Sequence, residues 1–260
     1  TFKRKKARFL SGMEFTFRSE REEVMKKEIE IVRENIRLAC SRVNRSEKEV
    51  LLLGVSKTKP YSAIQEAYSL GIQDFGENKV QEIRDKYELM QEDRLMKDFP
   101  PHFHMIGTLQ KNKVKYLPGK VVLIHSVDSV SLAEAIDKEF AKKDCIAKIL
   151  IEVNVAKEDS KSGFYIEELE EKVAEMAKLS HIEIRGLMTV APFTDNPEEN
   201  RPVFRALRES LSSLQKKFPS LPLMELSMGM SGDYEVAIEE GATIIRVGSF
   251  IFGERNYQKL

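Results

Sequence analysis

The sequence predicts an α/β protein: a parallel (β/α)8 barrel of TIM type with one extra helix in front. Eight short apolar runs alternate with charged, amphipathic stretches after Ser46, the texture of βα units around a parallel sheet. The 260 residues, 42% of them apolar, are enough for one such barrel as a single domain. No Gly/Pro-rich linker or low-complexity segment divides the chain. An open doubly wound sheet has a similar texture, but eight regularly spaced units favour closure.

Each element follows from local pattern. Residues 1–18 carry Lys3, Arg4, Lys5, Lys6 and Arg8 with no long apolar stretch behind them, so they do not read as a secretory signal. They read as a disordered basic arm or as sequence foreign to the natural chain, which leaves 19–260 as the barrel domain. From Glu20 to Val43, Val24, Ile29, Ile31, Val32, Ile36, Leu38 and Ala39 recur at helical intervals among charges, which predicts a leading helix. The strands are expected at Val50 to Val55, Ile72 to Phe75, His102 to Gly107, Val121 to Ser126, Ile146 to Val153, Ile182 to Val190, Met224 to Met228 and Thr243 to Val247. Ser131 to Lys142, Ile166 to Leu179 and Asn200 to Phe218 read as amphipathic helices between them. Gln91 to Pro101 has no clear assignment, and Pro192 to Pro197 reads as a loop.

Forty-two basic residues balance forty-two acidic ones, so no global field draws the chain to nucleic acid or an anionic membrane. No apolar run approaches the roughly 20 residues that cross a bilayer. Cys40 and Cys145 are isolated thiols without metal-ligand spacing, as expected of a reducing compartment, the cytoplasm by default.

Barrels gather their chemistry at the C-terminal ends of strands, and four ends stand out. The first strand runs into Ser56-Lys57-Thr58-Lys59-Pro60; a lysine amine beside apolar residues loses hydration and becomes a usable nucleophile toward an aldehyde. A solvated lysine marking the strand's exit is the alternative, and Lys59 competes as the amine. At the second end, Asn78 could offer an amide to a ring or could cap a helix. At the third, alternation puts His102 and His104 on one face, without the carboxylate or cysteine partners a metal site would need. At the fourth, Ser227-Met228-Gly229-Met230-Ser231 and Arg246-Val247-Gly248-Ser249 offer small residues and hydroxyls in the two places where barrels often bind phosphate. Tight turns would use the same residues. Arg246 should point inward beside the proposed phosphate site, where a pyridine nitrogen facing it would be held unprotonated; a salt bridge to a barrel carboxylate such as Glu152 or Glu225 is the alternative.

Taken together, Gly54-Val55-Ser56-Lys57-Thr58-Lys59-Pro60, Phe75-Gly76-Glu77-Asn78, His104-Met105-Ile106-Gly107 with Leu109-Gln110-Lys111-Asn112-Lys113, Leu226 to Ser231 and Arg246-Val247-Gly248 resemble the pyridoxal phosphate (PLP) homeostasis family, single-domain relatives of the alanine racemase barrel, from about residue 25 to residue 255. The resemblance implies an alanine racemase N-terminal-like barrel carrying PLP as an imine on Lys57. It places the ring near Asn78 and Arg246, adds His104 to the cofactor-binding set, and assigns the phosphate to Ser227, Met228, Gly229 and Ser231 with Gly248 and Ser249. Ser249 stands where the family usually has threonine, and a hydroxyl survives. The implied role is a monomeric, non-catalytic carrier that supplies PLP to apoenzymes, without a metal. An amino-acid racemase on the same barrel is the alternative. It needs a second proton-transfer group, supplied in two-domain alanine racemases by a tyrosine of an added β domain, for which the sequence to Leu260 leaves no room.

Overall fold

The computed structural model describes the backbone of residues 2–253 and the side chains of residues 21–253. Eight strands, β1 (Leu51–Val55), β2 (Asp74–Glu77), β3 (His102–Met105), β4 (Leu123–Val127), β5 (Ala147–Glu152), β6 (Ile182–Met188), β7 (Glu225–Met230) and β8 (Ile244–Val247), pair in parallel and in chain order around a closed barrel. The helices are α1 (Phe2–Arg42), α2 (Tyr61–Ser69), α3 (Val80–Glu92), α4 (Arg94–Asp98), α5 (Val130–Ala141), α6 (Leu169–Met176), α7 (Arg201–Lys217), α8 (Tyr234–Glu239) and α9 (Ser249–Phe252). All eight expected strands form, some displaced by a residue or two. The second begins at Asp74 because Ile72 is buried in the approach to the strand rather than in the ladder. The unassigned stretch from Gln91 contains α4, capped by Asp93, whose carboxylate accepts from the Leu95 and Met96 amides at 3.1 and 3.3 Å. None of the described helices is long and apolar enough to cross a membrane.

The leading helix begins earlier than Glu20. The expectation of disorder over 1–18 concerns residues whose side chains lie outside the described set. From Met25 onward, Met25, Ile29, Val32, Ile36, Ala39 and Cys40 form one buried stripe, the helical spacing of a face that covers a core. Polar contacts seat α1 against α8: Asn35 Nδ2 donates to the Tyr234 hydroxyl at 2.9 Å, Arg42 pairs with Glu235 and Glu239, and Arg45 donates to the Ile238 and Ala242 carbonyls. The Ile238 carbonyl belongs to the last turn of α8 and the Ala242 carbonyl to the segment between α8 and β8.

Inside the barrel, Leu53, Leu123, Leu150, Met188 and Ile244 form a small apolar cluster, separate from the large core between strands and helices. Alternation from these positions sends Glu152 and Arg246 inward as well. Gly186 shows how tightly β6 and β7 pair: a Cβ there would sit 1.9 Å from the Glu225 carbonyl oxygen, a backbone atom that cannot swing aside. Gly186→Ala should therefore lower the unfolding free energy by about 3 kcal/mol, read as a reduced urea midpoint at unchanged m-value; a loss under about 0.5 kcal/mol would contradict this account.

Candidate cofactor site

Closure of the barrel makes β1 and β8 neighbours, with Gly54 opposite Val247. Lys57, partly buried, therefore leaves the rim beside Gly248. The approach is close, since a Cβ on Gly248 would lie 3.1 Å from Val55 Cβ and 3.2 Å from its carbonyl oxygen. From the other side the β7 exit reaches the same place. Gly248 N–H and Ser249 Oγ each lie 3.4 Å from Ser231 Oγ, so the two segments expected to share an anion are brought together. Gly229 makes this geometry: it has φ +89°, and a Cβ would stand 2.6 Å from Ala237 Cβ and 2.9 Å from Tyr234 Cα. Only glycine lets α8 pack so closely on the end of β7.

A polar cluster outside the barrel wall fixes the turn carrying Lys57. Lys86 on α3 donates to the Ser56 carbonyl at 2.9 Å and to Glu77 Oε1 at 2.6 Å, and Ser56 Oγ donates to the same carboxylate oxygen at 2.5 Å. Burial pushes the Glu77 carboxyl up to about 7 against the opposing pull of Lys86 and Ser56. Next to Lys57, Thr58 adopts φ +65°, an outlying value for a β-branched residue; its amide donates to Glu82 at 2.6 Å. Lys59 is committed elsewhere, its amine donating to the Phe252 and Gly253 carbonyls at 2.7 and 3.0 Å.

Arg246 points into the barrel and is 5% exposed. It donates to Ser227 Oγ at 2.7 Å and to the Thr189 carbonyl at 2.8 Å, and it forms no salt bridge to Glu152 or Glu225. Burial pushes its guanidinium down to about 10, with Asp233 and Glu152 opposing, so it stays charged at neutral pH. Ser227 lies on β7 and not in a phosphate loop: the strand continues to Met230, and the Ser227 hydroxyl faces His125 Nδ1 at 2.9 Å as well as Arg246. His125 Nε2 lies 2.9 Å from His104 Nδ1, and His104 Nε2 lies 3.0 Å from Asp74 Oδ1. His104 thus sits toward the opposite end of the barrel, in a wall of the cavity shared with Leu51, Lys148 and Thr243. His102 reaches the same Asp74 oxygen at 3.0 Å.

Asn78 does not cap a helix, because α3 starts at Val80 behind Lys79. It is held against the third strand's exit, where a Cβ on Gly107 would fall 2.4 Å from the Asn78 carbonyl oxygen. Met228 is fully buried in the core between strands and helices, so only its backbone faces the rim. Across the mouth from β1, Glu152 ends β5 and lines a cavity of about 210 Å³ with Thr108, Asn154 and Lys161. Burial, and then Asp128, push its carboxyl up to about 7, with Arg246 opposing. The structure thus brings together Lys57, Ser231, Gly248 and Ser249 on the rim, with Ser227 and Arg246 below them. His125, Asp74 and Thr189 were not singled out by the sequence. His125 was the one with a signal, since it alternates with Leu123 in an apolar run.

The alanine racemase N-terminal domain model matches residues 29–256. The pyridoxal phosphate homeostasis protein of Aquifex aeolicus is 49% identical over 226 residues, covering 87% of this chain and 96% of that protein. Its Escherichia coli K12 namesake is 37% identical, covering 88% and 95%. Among solved structures, Synechococcus elongatus PipY with PLP bound aligns with a TM-score of 0.71 at 37% identity, over 84% of this chain and 99% of that one. A Clostridium difficile alanine racemase, at 15% identity and a TM-score of 0.60, shares the fold. With a rim of this shape and relatives alike over nearly their whole length, the chain belongs to the pyridoxal phosphate homeostasis protein family, within the alanine racemase N-terminal domain fold.

Proposed function

We propose that this protein binds PLP as a covalent imine of Lys57 Nζ, and that it stores and supplies the cofactor in the cytoplasm as a monomer without catalytic turnover. The observation that carries the reading is the β8–β1 closure, which sets the Lys57 turn, the Ser231–Ser249 contact and the inward Arg246 on adjacent strands. When bound, PLP supplies an aldehyde that condenses with amines. The donor set fits that group. Ser231 and Ser249 hydroxyls with the Gly248 amide would hold its phosphate, Asn78 would flank its ring, and Arg246 would donate to the ring nitrogen. Arg246 cannot accept a hydrogen bond, so it favours an unprotonated nitrogen and a weak electron sink. Ser227, Met228 and Gly229 shape the strand beneath the phosphate, and His104 acts from a distance. Both cysteines are free, as suits a reducing compartment, and PLP-dependent apoenzymes are the proposed recipients.

Adding PLP to the purified protein should produce a yellow absorbance band that borohydride bleaches while fixing one PLP on the peptide containing Lys57. Lys57→Ala should lose the band, and Lys59→Ala should keep it; a band that survives in Lys57→Ala would overturn the assignment.

One observation favours a racemase as the second reading. Glu152 stands across the mouth from β1 with a carboxyl whose pKa lies near neutrality, a property suited to proton transfer. Exchange of the alanine α-proton with deuterated water, lost in Glu152→Gln, would select it over the carrier.

The raised Glu152 pKa also has a thermodynamic consequence. A carboxyl whose folded pKa lies above its unfolded value contributes stability that is present below about 4.5 and lost as pH rises through about 7. From pH 5 to pH 8, urea unfolding should therefore show the wild type losing stability relative to Glu152→Gln. An unchanged difference would place the ionised carboxylate at no disadvantage.

A further inference from the structure

The proposed cofactor contacts leave out a line of four buried or nearly buried side chains inside the barrel. Asp74 on β2, His104 on β3, His125 on β4 and Ser227 on β7 connect at 3.0, 2.9 and 2.9 Å and end on Arg246 at 2.7 Å. His125 and Ser227 are wholly inaccessible and His104 is 3% exposed, so water cannot substitute for a missing partner. The inventory of donors then has one neutral solution. A guanidinium only donates, so Ser227 Oγ accepts from Arg246, and the hydroxyl's own hydrogen has His125 Nδ1 as its acceptor among the described neighbours. His125 must carry its proton on Nε2 and donate to His104 Nδ1, and His104 must carry its proton on Nε2 and donate to Asp74. Counting from the other end gives the same answer, because an ionised carboxylate only accepts.

The charges agree with that count. Burial alone would raise the Asp74 carboxyl, but the hydrogen bonds it accepts from His104 and His102 hold the group below its usual range. Burial, with the Arg246 cation adding to it, depresses His125 well below the ordinary imidazole value.

We propose that Asp74, His104, His125 and Ser227 form a one-directional hydrogen-bond relay through the barrel interior that orients Arg246 from the end opposite the rim, making Asp74 and the two histidines positioning residues for the guanidinium. Their place in cofactor binding rests on the PLP reading above; the relay itself does not. Its polarity is set at one place, the Asp74 carboxylate. Reversing it would require a proton on His104 Nδ1, after which Ser227 would receive two donors and its own hydrogen would have no acceptor among the described neighbours.

The test begins on the protein without cofactor. Nitrogen-15 NMR of the histidine rings should show His104 and His125 both neutral at pH 7 with the hydrogen on Nε2. Asp74→Asn, which keeps the shape and removes the charge, should give a mixture of tautomers at both rings. His102→Ala, which removes a second donor to the same Asp74 oxygen but lies outside the relay, should leave both tautomers as they were. With PLP, Asp74→Asn and His125→Phe should weaken retention of the cofactor about tenfold, the scale of one hydrogen bond to a charged group, and should shift its absorbance maximum. A protonated His125 or an Nδ1–H tautomer in the wild type overturns the relay whether or not PLP binds. Correct tautomers with no PLP binding overturn the cofactor reading and leave the relay standing. Correct tautomers with PLP retention unchanged in both variants, each shown folded by circular dichroism, would refute the positioning role.

Discussion

A guanidinium in the middle of the barrel is the constraint to which the surrounding interior answers. An arginine keeps its charge in any protein environment, and burying a charge costs several kcal/mol unless dipoles replace the lost water. Arg246 has no carboxylate at salt-bridge distance among the described residues. It has the Thr189 carbonyl and the Ser227 hydroxyl, and through Ser227 a file of oriented groups leading to Asp74. This explains why an otherwise apolar interior of Leu53, Leu123, Leu150, Met188 and Ile244 admits two histidines and a serine. These residues solvate one charge, and their spacing on β2, β3, β4 and β7 follows from the strand register.

The turn holding Lys57 depends on a second buried charge on the other side of the wall. Lys86 reaches from α3 to the Ser56 carbonyl and Glu77, while Glu82, one helical turn earlier, takes the Thr58 amide. These contacts offset the cost of a left-handed threonine, which persists only where its surroundings over-determine it. The same cluster connects two motifs that are far apart in sequence, the Lys57 turn and the Glu77-Asn78 strand end, so a change at Lys86 acts on both.

The fold was legible because parallel strands buried on both faces read as apolar runs, and the amphipathic helices between them differ in period. The same property hid His125. Every residue of β4 is buried, so burial alone could not tell a position facing the barrel interior from one facing the helices. The extension of β7 beyond Met228 was hidden for a related reason: Met-Gly-Met-Ser reads as turn chemistry, while Gly229 here serves the close approach of α8. The placement of Lys57, Ser231, Gly248 and Ser249 at strand ends was legible because apolar runs mark where the strands stop. The Glu77–Lys86 pair joins different elements and carried no local sign of contact.

Electrostatics at the mouth bears on the carrier reading proposed above. A catalyst that draws electrons into the ring profits from a protonated pyridine nitrogen, and a guanidinium beside that nitrogen works against the added positive charge. The relay hardens this arrangement, because with its one neutral hydrogen-bonding solution it keeps Ser227 accepting from Arg246 and the guanidinium fixed in place. Glu152, at the far side of the mouth with Asp128 acting on it, suits proton transfer near neutrality. On the proposed carrier reading, a fixed cation below the ring disfavours a carbanion, and the Glu152 carboxyl, with Asp128 acting on it, faces the lysine from across the mouth.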